Sequence, residues 1–164
     1  MKVTIREATL LDYEALCDLF AEVDRAHREA LPDLFRETDG PSRDFVYIRA
    51  LITDRDHGVL VAENKESARR PAPLLGCLII VARESPDVPI LVPIRYAMVD
   101  TLVVAEAYRG TGVGRQLMRS AEDWALGKGI DRIELNVFEF NEGARIFYES
   151  LGYTTLSRRM AKQL

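Results

Sequence analysis

One segment constrains the fold of this chain more than any other: an apolar run leads through alternating glycines directly into a helical pattern. The run Tyr96–Val104 has the composition of a strand, Gly110, Gly112 and Gly114 follow it, and Val113–Lys128 places apolar residues at helical spacing. Glycine allows tight turns and lets a ligand approach the backbone closely. The segment therefore predicts a strand–turn–helix unit in a mixed α/β domain.

The rest of the chain adds strands and helices on both sides of this unit. The first residues alternate as a short strand, and Leu11 to about Arg28 is an amphipathic helix preceded by a capping-box pattern at Thr9 and Asp12. The further predicted elements are helices Arg43–Thr53 and Glu142–Leu151 and strands Gly58–Glu63, Leu74–Arg83, Ile133–Phe138 and Tyr153–Met160. No repeat or long linker divides the pattern, so residues 1–164 are expected to form one domain.

Composition excludes several classes of protein. The chain has a formal charge of −4, whereas proteins that bind nucleic acid usually carry a basic surface. The longest apolar run, Leu74–Ala82, is too short to cross a membrane, and the N-terminus lacks the apolar core of a signal peptide. Cys17 and Cys77 stand alone, without the spacing of a disulfide framework or a metal site. We predict a cytoplasmic protein with free thiols, no metal, and neither a nucleic-acid nor a membrane partner.

The glycine turn also predicts a binding site for phosphate groups. The first N–H groups of a helix have no partner within the helix and lie at the positive end of its dipole. A diphosphate fits such a helix start, and Arg109 and Arg115 would add positive charge. The dinucleotide pattern G-x-G-x-x-G fails because Arg115 and Leu117 occupy the positions of its third glycine, and the Walker pattern is absent. A plain connector is the alternative, but it would not need three alternating glycines.

Two motifs in this order resemble the GNAT superfamily of N-acetyltransferases. The run Arg109-x-x-Gly112-x-Gly114 matches the acyl-CoA motif R/Q-x-x-G-x-G/A of that superfamily. The segment Leu135–Tyr153 is similar to its second motif, a strand and an Asn followed by a helix that ends in FYxxLGY. The two motifs span Tyr96 to the C-terminus, more than a third of the chain. The N-terminal half agrees with the superfamily in its order of elements alone.

The resemblance implies a fold and a co-substrate. The fold is a mixed, mostly antiparallel sheet with helices on both faces, whose fourth and fifth strands splay apart so that acetyl-CoA can lay its pantetheine arm in the gap. Backbone groups of the fourth strand would pair with the arm, as a strand pairs with a sheet edge. The glycine turn would hold the diphosphate, and the Asn of the second motif would contact the cofactor near its thiol end. The residues expected to contact acetyl-CoA are Leu102, Val103, Val104, Arg109, Gly110, Thr111, Gly112, Val113, Gly114, Arg115 and Asn141.

The implied chemistry is attack of an amine on a thioester, which needs a proton acceptor for the amine and a proton donor for the thiolate. Tyr148 stands at the position of the superfamily's frequent general acid, although it could instead pack in an apolar stripe with Phe147 and Leu151. Asp100 resembles the base proposed for polyamine-acetylating members; the alternative is a strand carboxylate paired with a basic side chain. Glu106 is a weaker candidate for the base because it lies beyond the predicted strand.

The resemblance also implies where the acceptor binds. The first two helices and their connecting loop would roof the acceptor site, so His27, Asp33 and Phe35 could contact it, although a lone histidine at a helix end is more often a surface or capping residue.

We therefore predict direct transfer of an acetyl group to a primary amine of a small molecule or peptide, without a covalent enzyme intermediate. A non-catalytic acyl-CoA-binding sensor is the main alternative, and a nucleotide-phosphate binder is a third. A homodimer formed through the loop Glu84–Pro93 and the final strand would be in keeping with the superfamily.

Overall fold

The computed structural model of the protein describes residues 2–67 and 72–162. These residues form one five-stranded sheet and four α-helices. In chain order the strands are β1 (Val3–Glu7), β2 (His57–Asn64), β3 (Leu74–Glu84), β4 (Arg95–Val104) and β5 (Ile133–Leu135). The helices are α1 (Tyr13–Ala30), α2 (Phe45–Thr53), α3 (Val113–Gly127) and α4 (Glu142–Glu149).

The strands lie side by side in chain order, from β1 at one edge to β5 at the other. Neighbouring strands are antiparallel except β4 and β5, which run parallel because α3 carries the chain back across the sheet. The central strand β3 has its first eight residues buried, which confirms the prediction of a strand covered on both faces. The predicted fold class, a mixed and mostly antiparallel sheet between helices, is confirmed.

Helices cover both faces of the sheet, and a separate apolar core fills each side. On the face covered by α3 and α4, which we call the α3 side, Leu78, Ile80 and Leu117 are fully buried. On the face covered by α1 and α2, which we call the α1 side, Phe20 and Ile48 are fully buried. Each such side chain stabilises the fold by about 1.5–3 kcal/mol through burial of apolar surface. The helices of the described segments are all too short or too polar to span a membrane.

The predicted capping box forms at the 3-10 turn Leu10–Asp12, directly before the first helix. The Thr9 backbone N–H donates to Oδ2 of Asp12 at 2.7 Å, and the Arg6 guanidinium donates to both carboxylate oxygens at 2.8 Å. Burial acts to raise the pKa of Asp12, but the hydrogen bonds from Arg6 and Thr9 outweigh it, so the pKa lies below its usual range. The buried carboxylate thereby joins β1 to the helix that follows it.

Two predictions for the C-terminal region are wrong. The strand expected at Ile133–Phe138 ends at Leu135, and a loop follows it. The final strand expected at Tyr153–Met160 does not form, since residues 153–162 contain no strand. The Tyr153 N–H instead donates to the Tyr148 carbonyl at 3.1 Å and closes the end of α4. The other predicted elements begin and end within two residues of their expected bounds.

Candidate functional site

The strands β4 and β5 pair at one end and separate at the other. Three residues of β4, the last of them Val99, pair with β5 as far as Leu135, and β4 then continues alone to Val104 on that side. On its other side β4 stays paired with β3 throughout. The strands therefore splay as the resemblance implies, and the edge of β4 from Asp100 to Val104 is not covered by β5.

A β-bulge marks the point of separation. Asp100 is the extra residue, because its neighbours Val99 and Thr101 pair with consecutive residues of β3. The bulge resets the alternation of side chains: Val99 is buried on the α3 side, whereas beyond the bulge Val103 is buried on the α1 side and Leu102 packs on the α3 side. The side chains of Leu102 and Val103 thus point to the two faces of the sheet, and the backbone edge of β4 faces the gap between β4 and β5.

The glycine turn between β4 and α3 presents a row of backbone N–H groups. Gly110 and Gly112 have φ values of +74° and +88°, which other residues rarely adopt, and an added Cβ at either position would meet no atom within 4 Å. Five amide N–H groups have no hydrogen-bond acceptor among residues 2–67 and 72–162; they belong to Gly110, Gly112, Val113, Gly114 and Arg115. The groups lie at the positive end of the α3 dipole, and there is open space around Gly110 and Gly112, whereas Val113 is buried. The arrangement fits an anion such as a diphosphate at the glycines.

Two ion pairs connect this turn to α1. Arg109 donates through Nε to the Val104 carbonyl at 3.1 Å and places Nη2 3.5 Å from Oε2 of Glu22. The same Glu22 oxygen accepts from the Glu106 N–H at 3.0 Å, and the Glu106 carboxylate lies 3.7 Å from Arg25. Arg109 thus holds the turn against both β4 and α1, and Glu106, the weaker candidate for a base, is fixed at this end. Glu22 was not predicted as a site residue, because nothing in its local sequence indicates a contact with a distant turn.

The helix α4 closes the other side of the turn. A Cβ added at Gly114 would lie 3.3 Å from Cζ of Phe147, so glycine allows α3 and α4 to approach closely. Nη2 of Arg115 donates to Oγ of Ser150 at 3.2 Å, which anchors this arginine at the end of α4. Gly114 therefore has a packing role besides its unpaired N–H group.

Two predicted site residues lie on α4 or at its start. Oδ1 of Asn141 accepts from the Ala144 N–H at 3.1 Å and caps the helix, which leaves the side-chain nitrogen to donate to a ligand. The Tyr148 ring packs against Phe147 and Tyr153, with centroids 5.3 and 5.8 Å away. Burial raises the pKa of Tyr148 to about 12, because the phenolate would lose its hydration. The Tyr148 hydroxyl is therefore protonated, and able to donate a proton, at neutral pH.

Asp100 forms an ion pair across the sheet at the bulge. Nη2 of Arg83 on β3 lies 3.3 Å from each of its carboxylate oxygens, and both side chains are close to half exposed. The structure therefore shows Asp100 in an ion pair with a basic side chain, which is the alternative that the sequence leaves open to a role as general base. An amine that approached Asp100 would compete with Arg83 for the same oxygens.

Residues expected at the acceptor site meet the loop that follows β5. The His27 ring centroid lies 5.1 Å from that of Phe35, 5.3 Å from that of Phe138 and 5.8 Å from that of Phe140. Phe138 and Phe140 were not predicted as site residues, because the pattern of Phe138 is that of a strand and Phe140 belongs to no motif. Asp33 is exposed and makes no ion pair with a described residue.

A sheet that splays open beside a helix start with unpaired N–H groups is the arrangement that the resemblance to the superfamily implies. The chain belongs to the acetyltransferase (GNAT) family, whose sequence profile matches residues 18–153, and this confirms the resemblance stated above. It is 34% identical to the uncharacterized N-acetyltransferase YdgE of Bacillus subtilis over 72 residues, which are 44% of this chain and 46% of that protein. The curated relatives are matched over a quarter to just under half of their own length.

Solved structures share the fold over nearly the whole chain. The tetramutant of the BH1408 protein from Bacillus halodurans superposes with a TM-score of 0.90 at 28% identity, covering 98% of this chain and 99% of that one. Glucosamine-6-phosphate N-acetyltransferase from Arabidopsis thaliana gives a TM-score of 0.69 at 16% identity, with 99% of both chains covered. The second likeness concerns the fold alone.

Proposed function

We propose that this chain is an N-acetyltransferase that moves an acetyl group from acetyl-CoA directly to a primary amine. The observation that carries the proposal is the row of five unpaired N–H groups between Gly110 and Arg115, at the end of β4 where β5 has separated. Membership of the acetyltransferase (GNAT) family supports acyl transfer to an amine.

The diphosphate of acetyl-CoA would bind the glycine turn. Backbone N–H groups already fixed in position can engage phosphate oxygens without reorganisation. Arg109 and Arg115 supply positive charge at the same place, although each also holds a protein contact. The pantetheine arm would lie along the open edge of β4 at residues 102–104, where backbone groups can pair with it, and the side-chain nitrogen of Asn141 would donate to the arm.

The transfer needs two proton movements. The amine nitrogen forms a bond to the acetyl carbon while the carbon–sulfur bond breaks, the amine gives its proton to a base, and the thiolate receives one. Tyr148 is our candidate proton donor because it lies at the position of the superfamily's frequent general acid and its phenol is protonated at neutral pH. Asp100 is our candidate base, acting directly or through a water molecule, and Arg83 beside it would set the position of its carboxylate.

The test is release of free thiol from acetyl-CoA in the presence of primary amines, among them polyamines, amino acids, arylalkylamines and peptides. We expect release that requires both acetyl-CoA and an amine, measured against acetyl-CoA alone to subtract hydrolysis. Binding of CoA without release across the panel would contradict the enzyme and support the non-catalytic sensor. Competitive displacement of CoA by ATP would support the nucleotide-phosphate binder.

A further inference from the structure

An aromatic cluster lies beside the splayed strands and has no part in the chemistry described above. Its members are His27, Phe35, Phe138 and Phe140, and we call this cluster the aromatic wall. Ring centroids within the wall lie 5.1–5.8 Å apart. The side chains of Phe138 and Phe140 nevertheless stay 42% and 41% exposed. Adjacent exposed aromatic side chains at one place indicate a binding surface.

The aromatic wall borders the gap between β4 and β5. Phe138 and Phe140 lie in the loop that leaves β5 after Leu135, at the point where the two strands separate. Their rings contact His27 near the end of α1 and, through Phe138, Phe35 in the following loop, so the loop after β5 reaches across to the α1 side. The same helix contacts Glu106 just beyond β4, so α1 extends from the end of β4 to the loop after β5, and the wall lies at the open end of the gap.

The loop after β5 exposes two phenyl rings, whereas its one carboxylate, that of Glu139, is already in ion pairs. Glu139, between the two phenylalanines, places Oε1 3.1 Å from Arg145 and 3.6 Å from Arg158. A polycationic acceptor would have to displace both guanidinium groups to reach this carboxylate. The charges of the loop therefore favour an acceptor with an apolar body over one with several positive charges.

His27 adds one polar atom to the aromatic wall. Its Nδ1 donates a hydrogen bond to the Val23 carbonyl at 2.8 Å, since a carbonyl oxygen can only accept. In the neutral ring this leaves Nε2, on the opposite side of the imidazole, as a hydrogen-bond acceptor. An ammonium group is attracted both by such a nitrogen and by the faces of the neighbouring rings.

We infer that the acceptor is an arylalkylamine, whose ring packs on Phe138 and Phe140 and whose amino group reaches past His27 into the gap. This inference rests on the proposed function and names its class of substrate. A ring in this position would make edge-to-face contacts like those already within the wall. The chemical step is the transfer already described and needs no further reactant.

The experiment compares kcat/KM for 2-phenylethylamine, ethylamine and spermidine, with thiol release as the readout. We expect the phenyl group to raise kcat/KM at least about tenfold over ethylamine, because it covers the exposed ring surface. Phe140→Ala should remove most of this preference, by about tenfold, while kcat/KM for ethylamine stays within about twofold. Phe140→Leu, which keeps apolar volume, should retain part of the preference and serves where Phe140→Ala folds poorly.

The matched control is Leu126→Ala, which removes a side chain that is 65% exposed on α3, outside the wall. The preference for the aryl amine should be unchanged in this variant. Spermidine used as well as or better than 2-phenylethylamine would overturn the inference and leave the proposed function standing. An equal loss for both simple amines in Phe140→Ala would also overturn it. A rate of thiol release that no amine of the panel raises above that of acetyl-CoA alone would contradict the proposed function and this inference together.

Discussion

The glycine turn can be tested by the same substitution at the two ends of α3. Gly112 before the helix and Gly129 after it have φ values of +88° and +69°, and an added Cβ would meet no atom within 4 Å at either position. Gly112→Glu and Gly129→Glu therefore impose similar backbone strain and add the same charge. They differ in location, because the proposed diphosphate site is at Gly112 alone.

The φ values and an assumed contact distance of about 4 Å give the expected size of both effects. A side chain at positive φ costs about 1–2 kcal/mol, so each variant should melt a few degrees below the wild type, at about 2–4 °C per kcal/mol for a domain of this size. A carboxylate 4 Å from a phosphate charge is repelled by about 1 kcal/mol in water and about 4 kcal/mol at an effective dielectric constant of 20. Gly112→Glu should therefore weaken CoA binding between about fivefold and a thousandfold.

Calorimetric titration with CoA, combined with thermal melts, measures both effects. We expect similar losses of melting temperature, wild-type CoA affinity in Gly129→Glu, and a Kd at least about fivefold higher in Gly112→Glu. Gly112→Ala, which keeps the strain and omits the charge, should lie between Gly112→Glu and the wild type. Unchanged CoA affinity in folded Gly112→Glu, or equal losses in both glutamate variants, would refute the reasoning.

Three further changes test the mechanism and the fold. Tyr148→Phe should lower turnover at least about a hundredfold with little change in CoA affinity. The control is Tyr153→Phe, which should keep turnover although its ring contacts Tyr148. Steady-state kinetics and CoA titration of both variants measure this. Asp100→Asn should lower turnover far more than Arg83→Met does, because only the first variant removes the proposed base. Equal turnover in the two variants would contradict the role of Asp100 as base and indicate that both residues act only through their ion pair. Asp12→Asn should lower the free energy of unfolding in urea by about 2 kcal/mol at pH 7. This deficit should shrink as the pH falls below about 4, because a carboxylate with a lowered pKa stabilises the fold above the unfolded-state pKa and loses that effect as it is protonated. A deficit that does not change with pH would contradict this.

The glycine turn could be located from the sequence because its requirements are local. Positive φ at Gly110 and Gly112 and the amphipathic helix after them are properties of neighbouring residues. The buried strand β3 was equally visible, because an unbroken apolar run suits a strand that is covered on both faces.

The remaining features depend on contacts between distant residues. Phe138 continues the strand pattern in sequence, yet its ring packs on His27 and Phe35, more than a hundred residues earlier, and the strand ends before it. The bulge at Asp100 arises from its register with β3 and has no mark in the sequence of β4. The segment Tyr153–Met160 has a strand-like composition, but its backbone pairs with no described strand, and a strand requires a partner.

The most direct measurement follows the backbone amide signals of the turn by ¹⁵N–¹H NMR while CoA is added. Hydrogen bonding to phosphate should shift the signals of Gly110, Gly112 and Gly114 in proportion to saturation, while the signal of Gly129 at the far end of α3 stays in place. Saturation with CoA that leaves these glycine signals unmoved and shifts a different region would place the diphosphate elsewhere and contradict the account.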